Sequence, residues 1–77
     1  MIDDKKRLAS KIGSNIRTLR QCKGMSIEKL ALKSDIGYMQ LSRIELGKIN
    51  TTIYQVFKIS KSLDVNLQEI FNLNDTP

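Results

Sequence analysis

Apolar residues recur along this chain in short bursts at three- and four-residue intervals, separated by two to five polar or glycine positions, and that rhythm is helical throughout. Leu8, Ile12, Ile16 and Leu19 fall within one stripe at about 100° per residue, which Gly24 brings to an end. Ser26 offers an N-cap for a second helix, IEKLALKS, in which Ile27, Leu30 and Ala31 can face inward. The third helical stretch lies within SDIGYMQLSRIELGKIN, residues 34–50. Thr51 or Thr52 can cap a fourth, whose Ile53, Val56, Phe57, Ser60 and Leu63 repeat at helical spacing. A fifth, NLQEIFNL, begins at Asn66 with Glu69 three residues on, a reciprocal capping arrangement. The trailing NDTP is too polar and short to pack. No alternation of period two marks a strand, so the pattern predicts an all-α domain of five short helices, its core spanning about residues 8–73, with short flexible ends.

The third helix separates its residues unusually. A helical wheel puts Leu41 and Ile44 on the core side and sends Met39, Ser42, Arg43 and Leu46 away from it, with Tyr38 and Gln40 at the flanks. Between this helix and the second there is room only for a turn at Ser34 to Ile36, where Ile36 plugs the corner; Ala31 is small where the helices cross. Two helices meeting sharply through such a turn describe a helix-turn-helix, whose second helix enters the major groove of DNA.

Charge points the same way. The chain carries 13 basic and 8 acidic residues, a net +5. Residues 1–25 hold seven of the basic residues (Lys5, Lys6, Arg7, Lys11, Arg17, Arg20 and Lys23) against Asp3 and Asp4, whereas residues 51–77 are net acidic. A basic end suits a polyanion. Seventy-seven residues make one domain, near the lower limit for a core without disulfide or metal. The single Cys22 and the lack of histidine exclude an intramolecular disulfide and argue against zinc, so no cofactor is expected. With no nucleophile and base in helical register, enzymatic chemistry is not expected either. No apolar run approaches the roughly 20 residues of a membrane span, and MIDDKKR lacks the apolar stretch of a signal peptide, which predicts a cytoplasmic protein.

Four stretches, IRTLRQCKGMS, EKLALKS, LSRIELGK and KISKSLDVNLQEIF, stand in the order and spacing of the Cro and phage-repressor (XRE) family of helix-turn-helix DNA-binding proteins, which the chain resembles from Ile12 to Phe71. The resemblance implies a compact five-helix, lambda-repressor-like domain with the helix-turn-helix at helices 2 and 3. It also implies a homodimer on a two-fold symmetric operator, and the short chain looks like the small autoregulatory members, restriction-modification controllers and phage repressors. Three positions depart from the family pattern. Ile27 replaces the usual Gln, leaving backbone N–H groups to bind phosphate. Asp35 replaces a turn Gly, which Asp can do by tolerating left-handed backbone. Thr51 replaces a Pro after the recognition helix.

On this reading the base contacts are Tyr38, Met39, Gln40, Ser42 and Arg43: Arg43 matches guanine O6 and N7, Gln40 adenine N6 and N7, and Met39 a thymine methyl. Phosphate contacts are expected from Arg17, Lys23, Ser26, Ile27, Gly37, Lys48, Asn50 and Thr52, which flank that face. Glu45 falls beside Leu41 on the inner side, where an unpaired carboxylate is costly, and Arg20 at the edge of the first stripe is its expected partner. Leu67, Ile70, Phe71 and Leu73 offer more apolar surface than a short terminal helix needs, so they are expected in the dimer interface; the alternative is that Ile70 and Phe71 only seal the monomer core. A dimer would set two recognition helices about 34 Å apart. Activation, as opposed to repression, would require a patch that touches RNA polymerase, with Glu28 the residue available on helix 2. A protein-interaction or antitoxin-like module on the same fold is the alternative function.

Overall fold

In a computed structural model, residues 4–73 are described and form five helices: α1 Asp4–Cys22, α2 Ile27–Ser34, α3 Tyr38–Glu45, α4 Ile53–Leu63 and α5 Leu67–Ile70. The NDTP tail and the first three residues, expected to be flexible, lie outside the described residues. Among the described residues there is no strand.

Each of the first four helices stops the same way. Gly24, Asp35, Gly47 and Asp64 take left-handed backbone, with φ of 65°, 55°, 72° and 57°. The N–H of the next residue then bonds five positions back: Met25 to the Arg20 carbonyl, Ile36 to Ala31, Lys48 to Arg43 and Val65 to Ser60, at 2.9–3.1 Å. This closure satisfies carbonyls the helix end would otherwise orphan, and it turns the chain sharply. At α2 and α4 an aspartate performs it where glycine is commoner, at the modest cost of a short polar side chain in that region. The helix starts are capped as their sequences require. Ser26 Oγ accepts from Lys29 N (3.1 Å), Thr52 Oγ1 accepts from Gln55 N (3.0 Å), and Asn66 and Glu69 form a reciprocal capping box. Of the two candidate threonines, Thr52 is therefore the cap, while Thr51 Oγ1 donates to Gln55 Oε1.

The turns fold α1 against α3 and α2 against α4 around one core of Ile12, Ile16, Leu30, Ala31, Ile36, Leu41, Ile44, Val56, Ile59, Leu63 and Ile70. Asn15 ties the middle of α1 to the end of α5 and the residues after it by donating from Nδ2 to the carbonyls of Ile70 and Asn72, each at 2.8 Å.

Three sequence expectations need correction. In α4 the buried set is Val56, Ile59, Ser60 and Leu63, while Ile53 and Phe57 are 75% and 45% exposed. Both patterns are helical; the core faces a stripe centred on Val56 and Leu63, and Ile53 and Phe57 fall on its flank. Leu8 is 45% exposed: it lies in the first turns of α1, where Lys5, Lys6, Ala9 and Ser10 border an open groove instead of the core. Ile70 is wholly enclosed by its own chain and has no surface left for a partner. It seals the monomer core.

Candidate nucleic-acid interface

Helix α3 is held from beneath by Leu41 and Ile44, which are 0% and 1% exposed. It is also held by an unusually close approach of α1, at a position the apolar pattern could not reveal. Gly13 is buried, and a Cβ there would lie 2.8 Å from the Glu45 carbonyl oxygen and closer still to that of Ile44. Gly47, the left-handed residue ending α3, meets Ser10 of α1 in the same way, its notional Cβ 2.7 Å from Ser10 Cα. Two glycines therefore let the backbones of α1 and the C-terminal end of α3 touch, which fixes the angle at which α3 leaves the body. A small buried residue in the first helix is the signal that could have found this, had its spacing against Gly47 been weighed.

Glu45 is the third restraint. Its side chain is 4% exposed and receives two hydrogen bonds from the 12%-exposed Arg20, Nε to Oε2 at 2.7 Å and Nη2 to Oε1 at 3.0 Å. The remaining arm of the fork, Nη1, donates to the Met25 carbonyl at 2.9 Å, so one guanidinium joins α1, the turn before α2 and the end of α3. The hydrogen bonds that Arg20 donates to Glu45 raise the Arg20 pKa above its ordinary value; burial opposes the rise, and the negative charges of Glu45 and Glu28 assist it.

With its inner side pinned, α3 presents Tyr38 (47% exposed), Met39 (61%), Gln40 and Arg43 to solvent, and Leu46 (54%) continues the face past the helix end. Ser42, expected to point away from the core, is half-buried at the edge of this face. Gly37 caps α3 with open space around its Cα. Of the flanking candidates, Arg17, Lys23, Ser26, Lys48, Asn50 and Thr52 are exposed. Ser26 and Thr52 use one lone pair each as helix caps, which leaves their hydroxyl protons available to an outside acceptor. Ile27 packs against the core, so its contribution to any phosphate contact is limited to its backbone N–H at the start of α2. Leu67 and Phe71 are half-buried against the core, and Leu73 is 49% exposed. Among the described residues no helix is long and apolar enough to cross a membrane.

Known proteins share this arrangement. The helix-turn-helix family HTH_3 matches residues 16–70. The HTH-type transcriptional regulator SlrR of Bacillus subtilis (strain 168) is 40% identical over 62 residues, which cover 79% of this chain and 41% of SlrR, so the chain spans less than half of that relative. The crystal structure of the restriction-modification controller protein C.AhdI from Aeromonas hydrophila superposes with a TM-score of 0.79 at 32% identity, covering 82% of this chain and 96% of that one. Wild-type controller protein C.Esp1396I superposes with a TM-score of 0.77 at 36% identity, covering 86% of this chain and 85% of that one. A match over residues 16–70, running from the first helix to the end of α5, places the chain in the helix-turn-helix family HTH_3, the XRE-type transcriptional regulators.

Proposed function

We propose that this chain binds operator DNA as a homodimer, with α3 of each copy in the major groove, and that it regulates the transcription of its own gene. The observation that carries the reading is the outer face of α3: Tyr38, Met39, Gln40 and Arg43 lie exposed together on a helix whose inner side is locked by Leu41, Ile44 and Glu45. A rigid helix with an arginine and a glutamine projecting from it suits bidentate pairing with guanine and adenine, and Met39 supplies an apolar contact for a thymine methyl. Arg17, Lys23, Lys48 and Asn50, with the Ser26 and Thr52 hydroxyls and the backbone at Ile27 and Gly37, orient the domain through phosphates. For the two-fold contact, Leu67, Phe71 and Leu73 remain, joined by the exposed Ile53, Tyr54 and Phe57 of α4. Autoregulation is the reading favoured by the two controller proteins, which match nearly the whole described chain. In an activating role, the exposed Glu28 of α2 would face RNA polymerase.

Selection of bound duplexes from a random library tests this reading, with light scattering on the free protein and on the complex. The selected site is expected to be a palindrome with half-sites about one helical turn apart, bound by two chains. Arg43→Ala, folded like the parent, should lose about 1–3 kcal/mol at one base pair and relax selection there. Binding that ignores sequence and salt would refute the reading and favour a protein partner.

A further inference from the structure

Between the first turns of α1 and the loop after α3 runs an open groove of about 600 Å³. Lys5 and Lys6 line one wall and Lys48 and Asn50 the other, with Ser10 and Gly47 touching at its floor. The α1 wall makes little contribution to the core: Asp4 to Leu8 and Ser10 are exposed, and Ala9 is half-buried. Helices in folded proteins draw most of their stability from packing, so a basic, exposed extension is not explained by the fold. It also lies before residue 16, where the family match begins, and it holds Lys5, Lys6, Arg7 and Lys11 against Asp4.

We infer that this groove is a second phosphate-binding surface, in which Lys5 and Lys6 of α1 join Lys48 and Asn50 in gripping the DNA backbone beside the bases read by α3. The inference rests on the DNA-binding reading above and adds to it a contact made by a segment outside the family match. Continuity fixes the ligand: Lys48 and Asn50 follow α3 directly, so a duplex seated on α3 brings its phosphodiester chain past this loop. The Ser10–Gly47 contact holds the α1 lysines at the same place by backbone apposition rather than by side-chain flexibility. Two point charges on long stems suit a phosphate track that carries no sequence information.

The test is the salt dependence of binding to the selected operator by the parent, by Lys5→Gln/Lys6→Gln and by a charge-matched control, Lys58→Gln/Lys61→Gln on α4, together with phosphate-ethylation interference. Two lost phosphate contacts should lower the slope of log K against log salt by about 1.8, or roughly 60-fold in affinity at 0.1 M salt, closing towards 1 M. The groove variant should show that change with an unaltered base preference and should lose one cluster of interfering phosphates per half-site. A groove variant with the parent's slope and interference pattern would overturn the inference while leaving α3 readout intact. A control that weakens binding as much would overturn it too, by reducing the effect to net charge. If the parent shows no salt-dependent DNA binding, both readings fall together.

Discussion

Arg20→Ala is the most informative single perturbation of this domain. It removes two charge-assisted hydrogen bonds, at 2.7 and 3.0 Å, from a carboxylate that is 4% exposed, and a third from the Met25 carbonyl. An unpaired buried charge left in this way costs about 3–5 kcal/mol. A chain of 77 residues has on the order of 4–12 kcal/mol in total, so a quarter or more of its stability is at stake. With an unfolding entropy of about 0.16 kcal/mol/K for this length, the melting temperature should fall by roughly 20–30 °C. Calorimetry or thermal circular dichroism on the parent, Arg20→Met, Glu45→Leu and the double Arg20→Met/Glu45→Leu completes a cycle, with Arg20→Ala measured beside it. The double variant should recover most of the loss, because matched apolar side chains replace a buried pair with little net cost. At a temperature where Arg20→Ala is folded, its loss of DNA affinity should be small beside its loss of stability, since neither partner is on the exposed face of α3 and Leu41, Ile44 and the Gly13 contact still hold that helix. A fall of less than about 6 °C, equivalent to 1 kcal/mol at this size, would refute the assignment of the pair as the main polar restraint on α3.

Further tests follow from other residues. Gly13→Ala would drive a methyl into the backbone of Ile44 and Glu45; it should destabilise by about 1–3 kcal/mol and, by tilting α3, weaken DNA binding even where circular dichroism shows a folded protein. Ser34→Ala removes a hydroxyl that is 2% exposed and has no hydrogen-bond partner among the described residues; urea titration should show it neutral or up to about 1 kcal/mol more stable. The raised Arg20 pKa means that the pair's contribution is complete below the unfolded arginine pKa and is lost only as pH climbs through the still higher folded one. The pair should therefore add no alkaline sensitivity up to about pH 11, whereas Arg20→Lys should show a loss relative to the parent above about pH 10, where lysine deprotonates.

Much of this architecture is legible from residue order because local chemistry decides it. Ser26, Thr52 and the Asn66–Glu69 box cap helices for reasons contained in three or four residues, while the left-handed backbone at Asp35 is what the family resemblance implies, a turn Gly usually standing there. The Arg20–Glu45 pair is also accessible, because an inward carboxylate on one wheel and a stripe-edge arginine on another leave few alternatives. What eluded the pattern depends on which neighbours a face meets. Ile53 and Phe57 obey helical spacing as well as Ile59 does, and only the direction from which α2 and α1 approach α4 decides that Ile59 is the one enclosed. The apolar surplus of α5 points to Ile70 in a two-fold interface, with the monomer core as the alternative, and its complete burial within its own chain decides for the core.

Gly13 carries the deeper lesson about the site. An apolar stripe is read from side chains that are present, whereas the position of α3 depends on one that is absent: without a Cβ at Gly13, the backbone of α1 reaches the carbonyls of Ile44 and Glu45. The same apposition recurs at Gly47 and Ser10, about one helical turn away along α1, and its continuation forms the groove between Lys5, Lys6, Lys48 and Asn50. The presentation of α3 and the basic cleft beside it are thus two consequences of a single close crossing. A substitution that opens that crossing should weaken base discrimination and phosphate grip together, whereas Arg43→Ala and Lys5→Gln/Lys6→Gln should separate them.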